Sequence, residues 1–247
     1  MRLLMINPNT SEDFTEKIME SAETYASPST QVAAMTAASG PRSIEGIYDE
    51  LLSAQGTLEV FLKQMDDYDG FVLACYSDHP VIYAAREITE KPVLGIAEAS
   101  MHTACMLGHR FSVVTTNDEW EPLLWDAARH YGLDSRCASI RTTGLPVLAL
   151  EGKSDEEVHG LIEAAARQAV EEDGAEVICL GCAGMTGLDK RLESALGVPV
   201  LDGVVCALKM IEGMLAYGMR TSKARAYARP QPKELVGLDD LFRKGYQ

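Results

Sequence analysis

The amino-acid sequence predicts an α/β protein of two similar lobes, each a parallel sheet flanked by helices, related by a pseudo-twofold axis with a cleft between them. Two observations carry that reading. Strand-like apolar runs alternate with amphipathic stretches along the whole chain, the pattern of βαβ units. The second half of the chain also repeats the first at a nearly constant spacing.

In chain order, the short apolar runs Leu3–Ile6, Val32–Met35, Phe71–Ala74, Val93–Ile96, Phe111–Val114, Val177–Leu180 and Val198–Leu201 read as buried strands. Between and after them, Ser11–Tyr25, Ile44–Met65, Glu119–Tyr131, Asp155–Glu171 and Val204–Tyr217 have the apolar periodicity of helices. Ser154–Glu157 (SDEE) has the form of a capping box opening one of them. The tail after Thr221, with Pro230 and Pro232, reads as extended and peripheral.

The repeat is specific. Residues 2–9 (RLLMINPN) overlay residues 110–117 (RFSVVTTN) at an offset of 108. Residues 69–75 (DGFVLAC) overlay 176–182 (EVICLGC) at an offset of 107. Cys75 precedes Pro92 by 17 residues, and Cys182 precedes Pro199 by 17. Three matches in one register define the lobes. Residues 1–97, joined by about 206–221, form the first; residues 98–205 form the second; residues 222–247 are the tail. The helix at Val204–Tyr217 is expected to cross back onto the first lobe.

Composition narrows the function. No apolar run approaches the roughly 20 residues that span a bilayer, and the N-terminus turns polar by Asn7, unlike a secretory signal. A cytoplasmic location is therefore expected. The net charge of −15 argues against nucleic acid or an acidic membrane surface as partner. A small-molecule substrate remains. Six cysteines in such a chain are expected to be free thiols. Cys179 and Cys182 have C-x-x-C spacing, but Cys179 lies inside an apolar run and no second pair completes a metal site.

Ligands of parallel α/β sheets bind beyond the carboxyl ends of the strands. Cys75 and Cys182 both fall there, each before a helical stretch. Ser77 and Asp78 could cap the first helix, and Gly181, Ala183 and Gly184 allow a turn with free backbone N–H groups around Cys182. Such N–H groups are expected to favour a thiolate. Across a pseudo-twofold axis the two thiols would flank one cleft. Racemisation needs a base on one face of a carbon and an acid on the other, with the roles exchanged for the opposite enantiomer. A pair of thiols, with an unperturbed pKa of about 8.5, meets that need without metal or cofactor. Cys105, Cys137, Cys179 and Cys206 read as small core hydrophobes.

Asn7-Pro-Asn-Thr10, Ala74–Asp78 (ACYSD) and Leu180–Met185 (LGCAGM) resemble the hydantoin racemase branch of the Asp/Glu racemase superfamily, which includes allantoin racemases. The resemblance runs from Asn7 to about Tyr217. It implies two lobes with the active site between them, a 5-substituted hydantoin or related cyclic ureide as substrate, no cofactor, and a homo-oligomer. It assigns acid/base roles to Cys75 and Cys182. Asn9 and Ser39 would contact the ring from the first and second loops. Thr115 and Thr116 would donate to its carbonyls, and backbone N–H groups near Ser77 and Gly184 would complete the cradle.

The chain departs from the family in one place. After Cys-x-x-Asp, where a small pair such as Pro-Gly is usual, it has His79-Pro80. The residues leave three roles open for His79: polarising Cys75, altering the pocket, or standing in a solvated loop. Asn7 could hold the turn through its side chain instead of contacting substrate. His102, His109, His130 and His159 show no partner pattern and read as surface or cap residues. Gly181-x-x-Gly184 lacks the dinucleotide fingerprint. Other readings of the same scaffold are an amino-acid racemase, a maleate-type isomerase with paired cysteines, and an arylmalonate-type decarboxylase, which needs only one thiol. A non-catalytic binder would have no use for thiols at both strand ends.

Overall fold

The computed structural model describes residues 1–151 and 156–246, so Ser154 of the capping box lies outside the described residues. Among the described residues eight strands and eight α-helices alternate: β1 (Arg2–Asn7), α1 (Glu12–Tyr25), β2 (Gln31–Thr36), α2 (Ile47–Gln64), β3 (Gly70–Leu73), α3 (Pro80–Ile88), β4 (Val93–Gly95), α4 (Ile96–Leu107), β5 (Phe111–Thr115), α5 (Trp120–His130), β6 (Cys137–Thr142), α6 (Glu156–Glu171), β7 (Val177–Leu180), α7 (Asp189–Leu196), β8 (Val200–Asp202) and α8 (Gly203–Tyr217). They build two four-stranded parallel sheets, ordered β2-β1-β3-β4 and β6-β5-β7-β8.

The sequence repeat is carried into the hydrogen-bond register. Leu3 pairs with Gly70 and its overlay partner Phe111 pairs with Val177. Phe71 pairs with Val93 as Ile178 pairs with Val200. Strand β6, at the edge of the second sheet, has no counterpart among the sequence-read strands. Only Cys137 and Ile140 of its six residues are buried, and its pairing with β5 carries a bulge. An edge strand that is half solvated shows no continuous apolar run.

Alternation along each strand divides the core. Leu3, Met5 and Val72 of the first sheet join Phe111, Val113, Val177 and Cys179 of the second in one cluster with α4 and α8. Their neighbours face outward into separate layers. Leu4, Ile6, Phe71 and Leu73 pack with α2 and α3, whereas Val114, Ile178 and Leu180 pack with α6. One shared layer thus joins the two lobes. A Cβ added at Gly203 would meet the Ile96 carbonyl oxygen at 3.1 Å, and these two residues are equivalent under the 107-residue offset. In a twofold arrangement a residue that touches its own equivalent lies on the axis. From there α8 packs on β3 and β4, and α4 on β7 and β8.

The tail is tied down. Leu241 and Phe242 pack on the outer layer of the first lobe, and Lys244 donates to the Leu62 carbonyl at 3.0 Å. No helix among the described residues is long and apolar enough to cross a membrane.

Beyond the strand ends the two lobes are built alike. Ala74 donates to the Ile6 carbonyl at 2.9 Å, and its equivalent Gly181 donates to the Val114 carbonyl at 2.7 Å. The positions differ in room, because a Cβ at Gly181 would lie 2.8 Å from the Val114 oxygen and 2.9 Å from Thr115 Cβ. Backbone cannot yield as a side-chain tip can. Gly181→Ala is therefore expected to cost about 1–3 kcal/mol, a fall in Tm of roughly 2–4 °C per kcal/mol for a chain of this size. A thermal unfolding scan showing an unchanged Tm would contradict this packing.

Candidate active site

Cys75 and Cys182 each stand two residues beyond the last residue of an inner strand, β3 and β7. Both line one small chamber between the lobes, of about 30 Å³, with Asn9, Phe14, Ile44, Tyr76, Thr116, Trp120 and Val147 among its walls. The chamber is polar at Asn9, Thr116 and the Gly181–Gly184 turn, and apolar elsewhere. Both cysteines are free thiols.

The two thiols differ in surroundings. Cys182 caps its own turn: its Sγ accepts from the Gly184 N–H at 3.4 Å. Burial pushes its pKa up to about 11, against the opposing pull of that N–H and of Lys17, with Glu45 raising it further. Burial pushes Cys75 higher still, and the charge of Glu50 adds to the rise; the Ser77 hydroxyl opposes it, donating to Cys75 Sγ at 3.5 Å. The sequence-based expectation of favoured thiolates is corrected here. Backbone N–H groups are present as expected, but desolvation outweighs them.

The remaining sequence candidates divide. Asn9 lines the chamber with its Oδ1 already accepting from Asn7 Nδ2 and the Ser11 N–H, both at 2.9 Å. Its NH₂ is therefore the end turned to donate. Thr116 lines the chamber, its hydroxyl on Asn117 Oδ1 at 3.1 Å. The Thr115 hydroxyl instead donates to the Gly181 carbonyl at 2.8 Å, bracing the Cys182 strand end. Gly184 lines the chamber, and a Cβ there would meet Phe14 and Leu150 at 2.9 Å. Ser39 is exposed and its backbone packs on Gly56 of α2, so the structure does not bring it to the chamber. Asn7 is structural: its NH₂ holds the turn through Asn9, the Ser11 carbonyl and Thr15. Cys137, Cys179 and Cys206 are buried, while Cys105 is only half-buried.

His79 corrects two expectations. It is fully buried, not solvated. It also caps α3, the role expected of Ser77 and Asp78. Its Nδ1 accepts from the Val81 N–H at 3.3 Å, so the proton sits on Nε2, which bonds Ser53 Oγ at 2.9 Å. Ser53 in turn donates to the Glu50 carbonyl at 2.8 Å. His79 thus clamps the Cys75 loop to α2, with both ring nitrogens engaged away from the thiol.

Sequence reading missed several neighbours. Glu50 on α2 faces the Cys75 loop. His130 on α5 bonds Asp78 at 2.5 Å, a contact between lobes. Lys17 donates to the Leu150 carbonyl. Asp202 caps α8 and also accepts from Gly187 N–H at 3.1 Å and Ser21 Oγ at 3.3 Å, tying the end of the Cys182 loop to α1. Each contact joins residues distant in sequence, and only the S/T/D/N-before-helix signal at Asp202 was readable. Among the described residues no three His, Cys, Asp or Glu side chains form a metal-holding group.

A family model described as Asp/Glu/hydantoin racemase matches residues 3–211. The chain is 44% identical over 243 residues to a hydantoin racemase from Pseudomonas sp. (strain NS671), spanning 98% of this chain and 97% of that one. It superposes on the allantoin racemase from Klebsiella pneumoniae with a TM-score of 0.92 at 42% identity, covering 96% of each chain. The allantoin racemase from Pseudomonas fluorescens gives a TM-score of 0.90 at 40% identity, covering 96% of this chain and 100% of that one.

Burial lowers the His79 pKa to about 4. An unfolded histidine titrates near 6.5, so between these values the unfolded chain binds the extra proton. The stability contributed by neutral His79 is complete above about pH 6.5 and is lost as pH falls toward 4, by up to about 3 kcal/mol. In His79→Asn, which can still cap α3, that part of the acid sensitivity should vanish. Urea unfolding at pH 7.5 and 4.5 measures it; equal losses in the two proteins would refute a buried neutral imidazole.

Proposed function

This chain belongs to the Asp/Glu/hydantoin racemase family, whose racemase members are isomerases, and we propose that it interconverts the enantiomers of a 5-substituted hydantoin or a related cyclic ureide such as allantoin, without a cofactor, by proton transfer between Cys75 and Cys182. The observation that supports this most is the placement of two thiols, at equivalent strand ends of two lobes, in the wall of one chamber. The matched hydantoin and allantoin racemases support the substrate class.

The C5 hydrogen of a hydantoin lies between a carbonyl and a ring nitrogen. The Cys182 thiolate takes that proton: its S–H bond forms, the C5–H bond breaks, and the electron pair moves onto the C4 oxygen. Cys75 then gives its S–H proton to the opposite face of C5 and becomes the thiolate. The opposite enantiomer runs the same path backward. The Asn9 NH₂ is the donor available to the enolate oxygen, and the Thr116 hydroxyl would join it by turning from Asn117 Oδ1. The chamber has room for about one or two water molecules, so its walls must part to admit a ring. The six free cysteines fit a reducing, cytoplasmic setting.

Replacing either thiol separates the half-reactions. Cys75→Ser and Cys182→Ser should each lose racemisation by at least about 10³-fold, given how much general acid–base groups contribute. In ²H₂O each variant should still exchange the C5 hydrogen of one enantiomer, a different one in each. Polarimetry and proton NMR read both; full racemisation by Cys182→Ser would rule out the two-thiol reading.

With the Cys182 pKa near 11, the thiolate fraction climbs with pH throughout the neutral range. The kcat/KM should rise roughly tenfold per pH unit between about 7 and 9, after subtraction of the uncatalysed rate. A flat profile would remove Cys182 as the base.

The apolar walls Phe14, Ile44, Trp120 and Val147 favour an alkyl or aryl group at C5 over a ureido group. Each unmatched polar group there costs about 1–3 kcal/mol. Benzyl- or isobutylhydantoin should therefore exceed allantoin by at least about tenfold in kcat/KM. The reverse order in a racemisation screen would place the ureido substituent against these walls instead.

A further inference from the structure

The chamber between the thiols holds about one or two water molecules, so a ring enters only when part of the wall moves. The lobes as wholes are not that part, because one close-packed layer joins them. Of the walls, Ile44, Tyr76 and Trp120 belong to that same layer. Val147 does not. It begins a short 3₁₀ turn, Val147–Leu150, between β6 and α6 of the second lobe. Leu150, at the other end of the turn, packs in one cluster with Phe14 of α1.

Side chains of the first lobe hold this turn from across the cleft. Ser11 Oγ donates to Glu151 Oε1 at 2.7 Å. Arg42 donates to the same carboxylate twice, from Nη2 to Oε2 at 2.7 Å and from Nε to Oε1 at 3.3 Å. Lys17 donates to the Leu150 carbonyl. These partners stand beside other walls of the chamber. Ser11 caps α1 directly after the Asn9 turn and gives its N–H to Asn9; Arg42 lies two residues before Ile44. One carboxylate, its side chain only 15% exposed, thus ties together three wall segments from two lobes. Two-point pairing with an arginine fixes direction as well as distance.

Resting on the reading of this chamber as the place of reaction, we propose that Glu151 is a positioning residue which latches the Val147–Leu150 turn across the lobes, closing the chamber on a bound ring and opening it when the bonds to Ser11 and Arg42 break. The near end of the segment stays on its own lobe, where the Thr143 and Gly144 N–H groups donate to the Thr116 carbonyl at 2.9 and 3.0 Å. The end at Glu151 is the one that crosses. Its release frees the Val147 wall while the shared layer, and with it the spacing of the strand ends, stays in place. Closure completes the wall and keeps water from the thiols during proton transfer.

The test is the rate of thiol modification by iodoacetamide in the full-length protein, read by peptide mass mapping across pH. It needs no turnover, so its outcome stands apart from that of the racemisation assays. Iodoacetamide is larger than the closed chamber admits and reacts with the opened form. Glu151→Ala should speed modification of Cys75 and Cys182 alike by about tenfold, the order expected for losing hydrogen bonds to a charged group, with both pH midpoints unchanged. Cys179, buried in the shared layer, should keep its rate. Arg42 is 67% exposed, so Arg42→Ala puts the fold at less risk and alone decides should Glu151→Ala fail to fold. It should speed both chamber thiols by about threefold, and added to Glu151→Ala it should contribute less than about 1.5-fold. Acceleration of Cys182 alone, with its midpoint moved, would show a charge effect through Lys17 and overturn the latch. Equal acceleration of Cys179 would show general loosening and overturn it too, as would unchanged rates in both single variants.

Discussion

The structure depends on one contact layer, the shared core in which Leu3, Met5 and Val72 of one sheet meet Phe111, Val113 and Val177 of the other. A reaction that works from both faces of one carbon needs two groups held at a fixed separation. Under the two-thiol proposal each group sits on its own lobe, Cys75 on one and Cys182 on the other. The distance between them is only as constant as the packing between lobes, and a close-packed layer resists change more than hinged domains do. The Ile96–Gly203 approach marks where the two halves are closest to their own symmetry. Because α4 and α8 cross to the opposite lobes from that point, neither half can shift without disturbing both helices.

Symmetry of backbone does not extend to chemistry. The strand register repeats almost residue for residue, yet the groups around the two thiols share little. One is approached by a lysine and a fixed N–H, the other by a glutamate and a rotatable hydroxyl. The imidazole of His79 stands in the structure as a clamp and not as an acid or base. Burial keeps it neutral at neutral pH, and both of its nitrogens hold backbone or serine partners.

Much of this was legible in the amino-acid sequence, for a definite reason. A parallel strand buried on both faces is a continuous apolar run, and a duplicated register leaves the same run at the same spacing. That reached seven of the eight strands and both thiols. What failed did so where direction or distance decides. The position of Ser39 in a loop does not reveal that its backbone turns to Gly56. The half-exposed pattern of Cys137–Thr142 hides an edge strand. His79 and Ser53 are 26 residues apart, and nothing local to either announces their bond. The sign of the thiol shifts failed for another reason: a turn rich in N–H groups can be read from glycines, but the depth of burial around it cannot.

The inequality of the thiols is compatible with a balanced reaction. In an achiral solvent two enantiomers have equal free energy, so no arrangement of side chains can shift the equilibrium between them. Asymmetry in the site can only redistribute the barriers and the resting protonation state. A pair of thiols with equal proton affinity would spend time with both protons on or both off, and neither state can both take and give a proton. Burial holds both sulfurs protonated in the neutral range, and holding them unequal decides that Cys182, the lower of the two, ionises first as pH rises. Under the two-thiol proposal the duplicated fold would supply the opposed positions, and Lys17 and the Gly184 N–H beside Cys182 would make it the first to lose a proton.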